Sequence, residues 1–81
     1  TLERAVRIES RHPLLWNRLA QVRLQQGNHG LAAELASKSN ALAGSDRGLK
    51  RSNYLIIADA KRATGDVAGA RVAESRAAAL R

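Results

Sequence analysis

The chain has 81 residues, enough for one small domain, and a domain of this size buries only roughly 60% of the surface its unfolded chain exposes. It contains no Cys, which excludes disulfides, thiolate metal sites and Cys nucleophiles, and no run approaches the roughly 18 apolar residues of a membrane-spanning helix. Fourteen basic residues against seven acidic give a formal charge of +7, a balance that favours acidic partners: an acidic protein face, nucleic acid or an anionic envelope.

One Trp, one Tyr and no Phe leave the apolar content to Ala, Leu, Val and Ile, and one Pro and six Gly punctuate the chain. Ala costs no side-chain entropy in a helix and lets helices approach closely. No stretch alternates with period two, so the chain reads all-α. It begins at Thr1 within a helical pattern and without Met, and it reads as a piece of a longer protein.

Five helical segments are expected. The first covers about 2–8, with Leu2, Ala5, Val6 and Ile8 on one side. Pro13, in a favoured first helical position, opens the second, which runs to about 26 with Leu15, Trp16, Leu19, Ala20, Val22 and Leu24 on a broad apolar face. Gly27 stops it, and Asn28 is placed to cap the third, about 29–43, whose stripe is Leu31, Ala32, Leu35, Ala36, Ser39 and Leu42. Glu34 and Lys38 stand four apart in the favourable order. Gly44 ends this segment. Ser45 or Asp46 caps a long fourth, to about 64, with Leu49, Tyr54, Ile57, Ala58 and Ala60 inward. Gly65 stops the fourth, and Asp66 caps a fifth over about 67–80. Such short connections force antiparallel neighbours.

The second and third segments recur as the fourth and fifth. Trp16 returns as Tyr54, 54 − 16 = 38 positions on. The same offset carries Leu19 to Ile57, Ala20 to Ala58, Gly27 to Gly65, Asn28 to Asp66 and Ala32 to Ala70, which defines a tandem helix–turn–helix unit. The copies read WNRLAQVRLQQGNHGLA and YLIIADAKRATGDVAGA, and the leading AVRIESRHP is similar to the tail of a preceding unit. This pattern resembles the tetratricopeptide repeat (TPR) family. The resemblance implies antiparallel helix pairs, about five helices in a short right-handed solenoid: 1–12 as the end of a half-repeat, 13–44 as a first repeat and 45–81 as a second. Departures are visible. The family's usual repeat is four residues shorter, which points to an extra helical turn or a longer loop around 44–50. Arg23 and Lys61 stand where the family often has Tyr, and Ala36 and Glu74 where it often has a larger apolar group.

Catalytic chemistry has little to stand on. His12 and His29 fall in expected turns without a patterned carboxylate or nucleophile, and Asp46 and Asp66 are explained as caps. No phosphate-binding Gly loop or metal-ligand cluster is present in the sequence, so no cofactor, metal or small-molecule substrate is expected. The resemblance instead implies a protein-binding groove lined by the first helix of each repeat. Residue by residue that gives Leu14, Asn17, Arg18, Gln21, Leu24 and Gln25, then Ser52, Leu55, Asp59 and Arg62. The basic clamp by which some TPR domains hold a C-terminal carboxylate is not reproduced, since Asn17 and Gln21 stand there without the expected Lys. Trp16 reads as core rather than as a ligand platform. Arg47, Lys50 and Arg51, with Lys61 and Arg62 further along, form the densest basic patch, suited to phosphates or an acidic partner or simply to solvent.

Size, layout and composition also resemble the C-terminal domain of LpoP-type outer-membrane lipoproteins. That resemblance implies a periplasmic domain that binds and activates a bifunctional penicillin-binding peptidoglycan synthase, with the membrane reached only through a preceding anchor. The alternatives are a cytoplasmic or membrane-attached TPR adaptor for secretion, pilus assembly or regulation, a nucleic-acid accessory domain and a self-associating structural domain. Nucleic acid lacks aromatic stacking partners here.

Overall fold

The computed structural model describes residues 12–80. Four helices occupy them: α1 (Pro13–Gln25), α2 (His29–Leu42), α3 (Arg47–Ala63) and α4 (Val67–Ala79), with no strand among the described residues. The segment expected over 2–8 lies outside them.

Local chemistry accounts for each boundary. Pro13 is the first residue of α1, where its missing N–H is no loss. The turn after α1 is closed by Gly27 at φ +82°, and the turn after α3 by Gly65 at φ +87°, a left-handed backbone that side-chain-bearing residues rarely adopt. Of the two candidates before α3, Asp46 is the cap: its Oδ1 accepts from Leu49 N at 3.0 Å. Asp66 Oδ1 accepts from Gly69 N at 2.9 Å and caps α4. Asn28 differs from expectation. It occupies the capping position of α2, yet its side chain makes no capping hydrogen bond. The backbone there (φ −83°, ψ 67°) almost repeats that of Asp66 (φ −86°, ψ 75°), so the difference lies in the side chain. A carboxylate is drawn to the positive end of a helix more strongly than an amide is.

The helices run antiparallel in sequence order. Ser39, near the end of α2, donates to the carbonyl of Pro13 at the start of α1. His29 and Gly30 of α2 border Lys61 and Thr64 at the end of α3. Gly69 of α4 lies by Lys61, and Arg76 by Tyr54. Among the described residues each helix packs on its predecessor, α1 also touches α3, and α4 packs on α3 alone. The chain therefore zigzags instead of closing into a four-helix bundle. Its Cα extents are 35 × 28 × 14 Å. An interaxial spacing of about 9 Å plus a Cα radius of about 2.3 Å on each side accounts for the short dimension, a slab two helices thick.

The core is Leu19, Ala20, Ala32, Leu35, Ala36, Ile56, Ile57, Ala58, Ala70 and Ala73, with Leu15, Trp16, Leu24, Ala33 and Tyr54 packed against it. Trp16 thus joins the core, half-buried. The 38-residue offset is kept in burial: Ala20 and Ala58, and Ala32 and Ala70, are all at most 1% exposed. These alanines hold the helix crossings close, where a longer side chain would force the backbones apart. The four extra residues are a helical turn, since α3 has 17 residues and α1 has 13. The offset places Arg51 at the position of Pro13, so 47–50 are the added turn.

Candidate functional site

The face shared by α1 and α3 is anchored by a chain of side-chain hydrogen bonds. Gln21 Nε2 donates to Asn17 Oδ1 at 2.7 Å. Asn17 Nδ2 donates to Asn53 Oδ1 at 2.6 Å and to Ser52 Oγ at 3.2 Å. Asn53 Nδ2 donates to Ser39 Oγ at 2.8 Å, and Ser39 Oγ passes the chain on to the Pro13 carbonyl at 2.7 Å. Asn17, Ser39 and Asn53 are buried, so each amide and hydroxyl needs these partners. The chain ties α1, α2 and α3 into one register.

This arrangement sorts the expected groove residues. Asn17 is 2% exposed and its amide is engaged inside the protein; it positions the face and presents nothing to a ligand. Ser52 and Leu24 are half-buried, the first as an acceptor for Asn17 and the second against the core. Leu14, Arg18, Gln21 and Gln25 of α1 are exposed, as are Leu55, Asp59 and Arg62 of α3. The Asn17–Ser52 contact sets these two rows side by side. Arg62 is not a free cation: it pairs with Asp59 at 3.3 Å and with Glu74 of α4.

The expected basic patch divides in the same way. Lys61 pairs with Asp66 at 3.5 Å, and Arg62 is held as above, while Arg47, Lys50 and Arg51 form no ion pair among the described residues. Lys38 sits with its Nζ 5.0 Å from the centroid of the Trp16 ring, a cation–π contact in place of the expected pairing with Glu34. His12 occupies the capping position of α1 without a side-chain cap bond, and His29 is the first residue of α2. No helix of the described residues is long and apolar enough to cross a membrane.

Ser39 is buried in the stripe of α2 as expected, but as a hydrogen-bonding residue, and Asn53 is a buried structural residue that the sequence reading did not single out. Ser39 looks like a small member of an apolar stripe, and Asn53 stands 38 residues after Leu15, an apolar position in the first copy. A polar residue at a position that is apolar in the sister unit was the available signal. Comparison with protein families, curated proteins and solved structures found no match for the chain.

Proposed function

We propose that this chain is a non-catalytic, TPR-like interaction module, two helix pairs of a short right-handed solenoid, which binds a segment of a partner protein across the exposed face of α1 and α3. The observation that carries the reading is the repeated unit: two helix pairs keep the same buried alanines and the same left-handed glycines 38 residues apart. Stacked units of this kind exist to present an extended surface. Here that surface offers aliphatic (Leu14, Leu55), amide (Gln21, Gln25) and charged (Arg18, Asp59) side chains above a rigid polar chain.

The partner we propose is a bifunctional peptidoglycan synthase, met in the periplasm by this domain as part of an outer-membrane lipoprotein. Its support is the resemblance in size, layout and composition set out above. Titrating the isotope-labelled chain with the purified synthase tests it. Saturable amide shifts at Arg18, Gln21, Leu55 and Asp59 are expected, with a rise in glycan polymerisation. Replacing Arg18→Glu and Leu55→Lys together is expected to weaken binding by roughly tenfold, about 1.4 kcal/mol. No shift with the synthase, in the presence of shifts from another partner at the same residues, overturns the synthase and leaves a TPR-like adaptor.

A further inference from the structure

The two helix pairs also differ on the far side of α3 from Leu55 and Asp59. There α3 and α4 leave a cleft of about 160 Å³, floored by Tyr54, Ile57 and Ala73, flanked by Gly69 and Val72, and rimmed by Lys61 and Arg76. The corresponding surface of α1 and α2 carries bulkier groups. The offset sets Leu31 against Gly69 and Leu35 against Ala73, and Lys38, the counterpart of Arg76, is folded over Trp16. Two isobutyl groups are thus replaced by a hydrogen and a methyl, which leaves room for the cleft in the second pair. An apolar cavity of about 150 Å³ is large enough for a benzene ring, so this cleft has room for one Leu or Phe side chain.

Charge is distributed to match. Arg47, Lys50, Tyr54, Ile57 and Lys61 follow one another at spacings of three and four, so they line one stripe of α3. Arg47 and Lys50 belong to the added turn, which lengthens this stripe beyond anything α1 has. Neither they nor Arg51 and Arg76 are ion-paired among the described residues, whereas the acids of this pair are engaged: Asp46 and Asp66 as caps, Asp59 and Glu74 on Arg62. Cations in the first turn also run against the helix macrodipole, which favours anions there.

We propose that the α3–α4 cleft, with Arg76 at its rim and Arg47 and Lys50 on the same stripe of α3 beyond it, binds an acidic segment of a partner protein, with one apolar side chain of that segment seated on Tyr54, Ile57 and Ala73. The site is separate from the α1–α3 face and does not depend on the function proposed for it. A short fluorescein-labelled peptide with a central Phe flanked by Asp and Glu is the probe, followed by anisotropy and by amide shifts of the full chain. Shifts at Tyr54, Val72, Ala73 and Arg76 are expected, and binding is expected to fall roughly tenfold or more when the Phe is Ala. Lys50→Glu with Arg76→Glu is expected to abolish binding. Val72→Glu, which copies Glu34 of the first pair at a solvent-exposed position, is expected to weaken it without unfolding the helices, checked by circular dichroism. Equal binding of the Ala peptide, or of a single-stranded oligonucleotide, would show that charge alone acts and overturns the proposal, as do shifts confined to α1 and the Leu55 side of α3.

Discussion

In the first helix pair Asn17 is 2% exposed, and in the second its counterpart Leu55 is 42% exposed, although both occupy the same register of the repeat. The inversion of chemistry and burial has one cause. Asn17 is covered by α3, which brings Ser52 and Asn53 to it, whereas no described helix lies over Leu55. Leu15 and Asn53 form the reverse pair: the second meets Ser39 and Asn17, and the first packs on the core. The closest positions within a pair, such as Ala20 and Ala58 or Gly27 and Gly65, keep their identity because their neighbours repeat with them, while Leu31 and Leu35 give way to Gly69 and Ala73 where the second pair opens its cleft. Positions that face between pairs follow whichever helix arrives next.

Substitutions at the shared frame are expected to have the largest effects. Ala20→Leu and Ala58→Leu each drive an isobutyl group into a closed helix crossing and should cost about 3 kcal/mol. A chain of this size has a total of roughly 4–12 kcal/mol to lose. The two urea midpoints should fall together; a loss at one site only would break the equivalence of the pairs. The junction comes next. Asn53→Ala removes the central member of the buried chain and should cost about 2 kcal/mol, because Asn17 and Ser39 lose a partner each. Replacing Asn17→Leu, Ser39→Ala and Asn53→Leu together should be far milder than the sum of the single changes, since none of the three buried side chains is then left without its partner, and the outer members Gln21 and Ser52 are not buried. A triple variant as damaged as that sum would mean the chain contributes more than satisfaction of its own members.

The same distinction explains what could be read before any coordinates. The helix boundaries lie within one or two residues of expectation because each has a local cause: Pro13, Gly27, Gly65, Asp46 and Asp66 act on their own turn. The inserted turn was legible as four residues, though its placement at the start of α3 rather than in the loop was open. The site was less legible because its partners come from other helices. Nothing near Arg62 in sequence announces Glu74, and nothing near Lys38 announces that it will cover Trp16 in preference to Glu34, four residues away. Arg62 therefore left the basic patch, and Asn17 left the contact surface, through tertiary contacts that periodicity does not encode.

The smallest effects sharpen the comparison furthest, at the two helix starts that share a backbone and differ in one side chain. Asp66→Ala should cost about 1 kcal/mol by losing the bond to Gly69 N. The half-exposed pair with Lys61 adds only a few tenths to that. Asn28→Ala should change stability by no more than a few tenths, since its side chain caps nothing. Asn28→Asp is the decisive variant. If the carboxylate is what separates the two turns, it should recover a capping bond on the existing φ and ψ and stabilise the chain by about 0.5 kcal/mol, read as a raised urea midpoint at unchanged slope. If Asn28→Asp gives no gain, the few degrees separating the two turns outweigh the charge, and the pairs differ in backbone as well as in side chains.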